Sequence, residues 1–251
     1  MQPPTIVAAV QFKPKLHDVR GNLAIAQQLT FEAAAKGARV IVLPELCTSG
    51  FTFRNLREAS ECSQTKNGYQ TQAFLPIARK FACHIVFGYP ELLEGKLYNS
   101  AAIVGPYGLE GNCQKHNLWG SDNLWAQPSE ELHPVINTPT GRLGVLICRD
   151  AANRYRESYR FYKPNNKFYH SGSVDTIALL TNWGSVYGYP DSSWVELAEQ
   201  TRANVIVSNR VGKERDLKFK GGSCVIDRNR RIWTNGSSFT EAAVVGGVIL
   251  P

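Results

Sequence analysis

Two reactive side chains stand where apolar runs stop. Val40-Ile41-Val42-Leu43-Pro44 runs into Glu45, and Gly144-Val145-Leu146-Ile147 runs into Cys148. Two further runs end in polar pairs: Ile177–Thr181 leads into Asn182-Trp183, and Val205–Ser208 into Asn209-Arg210. In open α/β sheets, ligands sit outside the carboxyl ends of strands. A carboxylate and a thiol at two such ends can therefore share a site, the carboxylate drawing the proton that keeps the thiol from being a nucleophile. The plainer account is that strand ends open into loops and loops are polar. Spacing alone leaves both accounts standing.

Such positions need strands to present them. Thr5–Gln11 reads as a buried strand, and Leu23, Ala26, Leu29, Ala33 and Ala34 recur at helical spacing over Gly21–Lys36, with Gly37 as the cap. Arg39–Leu43 is a second strand, halted by Pro44. Thr71–Ala82 reads as a helix interrupted near Pro76, followed by strand Ile85–Gly88. Leu97–Val104 and Glu110–Gln114 flank a turn at Gly105-Pro106-Tyr107-Gly108, as a hairpin does. Arg142–Ile147, Val174–Leu180 and Asn204–Ser208 read as strands, with a helix over Ser192–Arg202. Ser223–Asp227 and Ala242–Ile249 read as late strands. Mixed βα units and hairpins predict a layered α/β fold.

Composition narrows the class. The chain has 251 residues, 43% apolar and 20% charged, which are ordinary globular values. Its apolar stretches are too short to cross a bilayer, and Met1-Gln2-Pro3-Pro4 lacks the basic start of a secretory signal. A cytoplasmic location without membrane attachment is expected. Six cysteines form no C-x-x-C pair, and the five histidines show no ligand spacing with them, so neither a metal site nor a disulfide framework is expected. G-x-S-x-G, P-loop, G-x-G-x-x-G and H-E-x-x-H motifs are absent.

What is present resembles the nitrilase, or carbon–nitrogen hydrolase, superfamily. Val7–Gln11 followed by an Asn22-containing helix is similar to that family's first βα unit. Leu43-Pro44-Glu45-Leu46-Cys47-Thr48-Ser49-Gly50-Phe51 resembles its glutamate motif, Gln114-Lys115-His116-Asn117-Leu118 its lysine motif, and Gly141–Asp150 its cysteine motif. Thr181-Asn182-Trp183, Arg202-Ala203-Asn204 and Ser208–Gly212 follow in the family's order. The resemblance implies one carbon–nitrogen hydrolase domain over residues 1–251. It implies a four-layer αββα sandwich with two mixed β-sheets, and commonly a homodimer or higher homo-oligomer. It also implies that Glu45, Lys115 and Cys148 are catalytic, Cys148 attacking as thiolate, Glu45 moving the proton and Lys115 holding the oxyanion with the backbone N–H of Arg149. Water would then release an acid from the thioester. No cofactor is needed for that sequence.

Outside such a site, Glu45 would be an exposed loop acid, Lys115 a solvated hairpin lysine and Cys148 a core thiol. The family's second glutamate has only Asp122 as its match, one methylene shorter, with Asn123 as the alternative. Asp122 is therefore carried as a supporting residue. Asn182 and Trp183 are the landmarks carried as substrate-binding. Arg149-Asp150 after the cysteine favours an amide or N-carbamoyl substrate over a nitrile, although Asn153-Arg154-Tyr155 departs from the usual continuation. A nitrilase and a non-catalytic binding member are the alternatives.

The formal charge of +7 is concentrated. Arg149–His170 holds six Arg/Lys against two acids, a net +4, with six aromatics; Arg210–Arg231 holds eight against three, a net +5. A rim for an anionic small molecule, with Arg149 or Arg154 touching the anion, and a subunit interface built on 154–170 are the two leading readings. Nucleic acid ranks behind both.

Overall fold

The computed structural model describes residues 5–154, 162–164, 168–184, 192–235 and 242–248. In chain order the first half runs β1 (Thr5–Gln11), α1 (Val19–Ala35), β2 (Val40–Val42), α2 (Leu56–Ser60), α3 (Tyr69–Phe81), β3 (His84–Leu93), β4 (Lys96–Gly105) and β5 (Gly108–Gln114). The second half runs β6 (Val135–Thr138), β7 (Gly141–Ile147), β8 (Ala152–Arg154), β9 (Tyr162–Pro164), β10 (Thr176–Thr181), α4 (Ser192–Thr201) and β11 (Asn204–Asn209). It closes with β12 (Val211–Glu214), β13 (Leu217–Lys220), β14 (Cys224–Ile226), β15 (Ile232–Asn235) and β16 (Ala242–Val248). Six strands form one sheet in the order β16-β1-β2-β3-β4-β5, and six form another in the order β15-β14-β11-β10-β7-β6. Both are mixed: β1, β2 and β3 are parallel, as are β7, β10 and β11, and the flanking strands are antiparallel.

Strand alternation explains the layers. Successive side chains point to opposite faces. Ala8, Val10, Ile41, Leu43, Ile85 and Phe87 face outward onto Leu23, Ala26 and Ala33 of α1 and Phe74 and Ala78 of α3. Their neighbours Val7, Ala9, Val40, Val42 and Val86 face inward and meet Val145, Ile147, Ala178, Leu180 and Ile206 of the other sheet. The opposite face of that sheet, including Leu146, Ile177, Leu179, Val205 and Val207, packs on Trp194, Leu197 and Ala198 of α4. The order is helix, sheet, sheet, helix, the expected αββα sandwich.

Two readings of the sequence need correction. The helix at residues 69–81 does not break at Pro76. Pro76 sits on its solvent side, as does Gln72, whose carbonyl loses its partner and can be hydrated there. Strands β6, β8, β9, β12, β13 and β15 were not read from the sequence. These are short strands of three or four residues with little periodicity to detect.

Candidate active site

The strand ends that drew attention meet between the two sheets. Glu45 follows β2, and its backbone is drawn tightly against β3. A Cβ at Gly88 would lie 2.7 Å from the Glu45 Cα and 2.4 Å from the Leu46 nitrogen, so only glycine lets the strand pass this close. Leu46 then takes a left-handed φ of 47°, turning the chain away and leaving the Glu45 side chain in the interior.

Lys115 follows β5. The hairpin carries it beneath the sheet's edge rather than into solvent, and its side chain is 0% exposed. Its Nζ lies 2.6 Å from Glu45 Oε1 and 2.6 Å from Asp122 Oδ2. Asn99 of β4 spans the same two carboxylates, donating from Nδ2 to Glu45 Oε1 at 2.8 Å and to Asp122 Oδ1 at 3.2 Å. Asp122 therefore reaches the lysine despite its shorter side chain, and the alternative, Asn123, is exposed and donates to the Gly120 carbonyl. Asn99 was missed by the sequence reading, because a lone Asn inside a hairpin strand carries no spacing signal.

Burial raises the Glu45 carboxyl above its ordinary value, and Lys115 opposes that in part. Burial also pulls on the Lys115 ammonium, but Asp122 and Glu45 outweigh it and hold the lysine well above its ordinary value. Lys115 is thus a fixed cation. Glu45 Oε2 is buried without a hydrogen-bond partner among the described residues, so one carboxylate oxygen is unspent.

Cys148 follows β7 and opens a short 3-10 turn, Cys148–Ala151. It is buried, and its φ of 48° is left-handed, a conformation that costs a non-glycine residue about 1–2 kcal/mol. Burial raises the thiol pKa, and the negative charge of Glu45 raises it further, against the pull of Lys115 and the Asn182 backbone N–H. Together these effects favour the thiol over the thiolate. In a 3-10 turn successive side chains diverge by a third of a turn. Cys148 belongs to the inter-sheet cluster, while Asp150 points into the loop after Lys115. There it accepts from the backbone N–H of Asn117 at 2.8 Å and of His116 at 3.3 Å, anchoring the chain that carries the lysine. Burial pushes the Asp150 carboxyl up to about 7, against those hydrogen bonds.

Asn182, after β10, donates from Nδ2 to the Glu45 carbonyl at 3.0 Å and ties the two sheets at the site. Trp183 is held otherwise: its backbone N–H donates to Asn209 Oδ1 at 2.8 Å, and its ring meets Trp194 edge-on at 5.9 Å. Arg210, after β11, is not part of a rim. It is buried, with one NH group 2.8 Å from Glu214 Oε2 and the other donating to the Pro14 carbonyl at 2.8 Å. Glu214 in turn accepts from the N–H groups of Phe51 and Thr52 at 2.8 and 2.7 Å, clamping the loop that leaves Glu45. Removing it strands a buried guanidinium. Glu214→Ala is expected to cost about 3–5 kcal/mol in urea unfolding, and a loss under about 1 kcal/mol would disprove the clamp. Arg149 is half-buried. Arg154 contributes backbone to β8, but its side chain and residues 155–161 and 165–167 lie outside the described residues. Among the described residues no three His, Cys, Asp or Glu side chains cluster so as to hold a metal.

Cys47 and Cys113, the other thiols near these residues in sequence, lie in hydrophobic core clusters and face the Gly88 and Val145 carbonyls at 3.5 and 3.8 Å. Burial pushes Cys47 up to about 12.

Two stacked mixed sheets with polar side chains gathered where parallel strands end define an αββα-sandwich protein with one inter-sheet site. The chain belongs to the carbon–nitrogen hydrolase family, whose model matches residues 6–249, and hydrolysis of C–N bonds is the chemistry of that family. It is 29% identical over 245 residues to a nitrilase from Pyrococcus abyssi, covering 97% of this chain and 89% of that one. It is 27% identical over 261 residues to a protein N-terminal amidase from Schizosaccharomyces pombe, covering 87% and 89%. In fold it matches an amidase from Nesterenkonia sp. AN1 with a TM-score of 0.81 at 16% identity, covering 98% of this chain and 91% of that one.

Proposed function

We propose that the chain hydrolyses the C–N bond of a small carboxamide or N-carbamoyl compound through a thioester on Cys148, with Glu45 as base and acid and Lys115 as oxyanion donor. The observation that carries this is the buried Lys115–Glu45 pair at 2.6 Å, with the second Glu45 oxygen unspent. In the proposed step, that oxygen takes the thiol proton as sulfur bonds to the acyl carbon. The carbonyl electron pair moves to oxygen, facing the Lys115 ammonium and the Arg149 backbone N–H. Collapse breaks the C–N bond, and the departing nitrogen receives the proton from Glu45. Water attacks the thioester with Glu45 again as base, and the acid leaves with Cys148 restored.

Intact-mass spectrometry after brief incubation with a panel of amides, carbamoyl compounds and nitriles tests the reading. An acyl adduct on Cys148 is expected. Absence of any adduct or turnover across the panel would leave a non-catalytic member of the family. The Pyrococcus relative named a nitrilase supports a second reading, in which the panel's nitriles would show the higher kcat/KM.

A pH profile examines Glu45 separately. The base works only when ionised, so kcat/KM rises with pH through the Glu45 pKa. Burial places that acid limb above the ordinary 4.5. Glu45→Gln is expected to lower kcat about 10²–10⁴-fold and to flatten the limb. An unchanged limb in the variant would assign it to another group.

A further inference from the structure

Beside the site lies an open groove of about 500 Å³, within the range of small-molecule sites. His116, Asn117, Asn123 and Arg149 line its polar part, and Leu118, Ala126 and Pro128 its apolar part. Every one of these residues lies on a segment that carries the site: the loop after Lys115, the stretch around Asp122, or the turn that begins at Cys148.

Arg149 is the unusual member. It is half-buried, yet among the described residues it forms no ion pair. The nearby acids are committed elsewhere. Asp122 is held by Lys115 at 2.6 Å, and Asp150 is filled by the N–H groups of His116 and Asn117. Glu130 and Glu131 are exposed. Its guanidinium is open to a ligand, and its planar fork suits a carboxylate bidentately. Its Cα is one peptide, about 3.8 Å, from that of Cys148. The turn directs its side chain a third of a turn away from the thiol. An anion on Arg149 would therefore sit to one side of the thiol, and the groove's lining residues His116 and Arg149 adjoin Lys115 and Cys148 in the chain.

We infer that Arg149 and this groove bind a carboxylate at the far end of the substrate, making the preferred substrate an amide or carbamoyl compound that also carries a free acid. The inference rests on the proposed hydrolysis for its orientation and names the substrate class for that same site. Within the second basic segment, Arg210 is buried against Glu214 and the part-exposed Arg215 pairs with Glu58 at 2.9 Å, while Lys213 and Lys218 are exposed on β12 and β13, away from the segments that line this groove.

Binding and turnover separate the two ideas. Calorimetric titration of full-length Cys148→Ala with the half-amide of a short dicarboxylic acid, and with its methyl ester, reads recognition without chemistry. The acid is expected to bind at least about 10-fold tighter than the ester. Adding Arg149→Gln is expected to erase that ratio, and Arg149→Lys to keep part of it as a point charge. Equal affinity for acid and ester, no binding of either, or an equal loss of both in Arg149→Gln would overturn the inference. The mass of wild-type Cys148 after exposure to the same two compounds reads the hydrolytic proposal alone. Acid-selective binding with no acyl adduct would sink the chemistry and leave the carboxylate site intact.

Discussion

Cys148→Ala is expected to reduce hydrolysis of every substrate by roughly 10⁴–10⁶-fold in kcat while leaving the fold nearly as stable as before. No nearby group can replace the sulfur. Cys47 and Cys113 are buried thiols facing backbone carbonyls, and burial holds both above the ordinary thiol range. The stability cost is small because the resting thiol is neutral and one buried atom of methyl size is worth about 1 kcal/mol. Backbone strain offers a second readout. Cys148 has φ 48°, which alanine inherits and glycine tolerates. Cys148→Gly is therefore expected to be more stable than Cys148→Ala by about 1 kcal/mol. Thermal unfolding of the two variants measures this. Residual turnover within 10-fold of wild type in Cys148→Ala would end the claim that this thiol is the nucleophile.

The second large effect combines activity with stability. Lys115→Met leaves Glu45 and Asp122 facing each other, fully buried, with Asn99 as their shared donor and no cation between them. Breaking a buried pair in this way costs about 3–5 kcal/mol at neutral pH. The same change removes the proposed oxyanion donor, at about 10²–10³-fold in kcat. The two losses should separate in a double variant. Lys115→Met with Asp122→Asn removes one of the stranded charges and is expected to regain part of the stability but none of the activity. Lowering the pH should also narrow the stability gap between Lys115→Met and wild type, because protonating either carboxyl relieves the repulsion. Denaturant unfolding at two pH values checks the sign. Recovery of turnover in the double variant would mean that the lysine serves only to neutralise Asp122.

Much of this protein was legible in its sequence because the signals are local. Alternation over two residues sets which of Val7 and Ala8 faces the other sheet, and the runs before Glu45, Cys148, Asn182 and Asn209 mark where parallel strands stop. The ordered glutamate, lysine and cysteine motifs, which set the family, are also contiguous in the chain. Pro76 was misjudged because a helix tolerates proline when the orphaned carbonyl meets water, and exposure is a property of the assembled layers. Arg210 is buried although Lys213 and Lys218 of the same basic segment are exposed, since charge per residue says nothing about direction.

Side-chain distances were decided only by the tertiary structure. Lys115 and Glu45 lie 70 positions apart, and Asn182 is 137 positions from the carbonyl it binds. Their meeting depends on how two sheets stack, on a glycine at position 88 that admits the Glu45 backbone, and on the loop that returns Asp122 to the lysine. By itself the sequence determined which groups were available and on which strands they stood. Packing decided the rest: desolvation raised Glu45 and Cys148, two carboxylates fixed Lys115 as a cation, and Arg149 was left half-buried and without an ion-pair partner among the described residues.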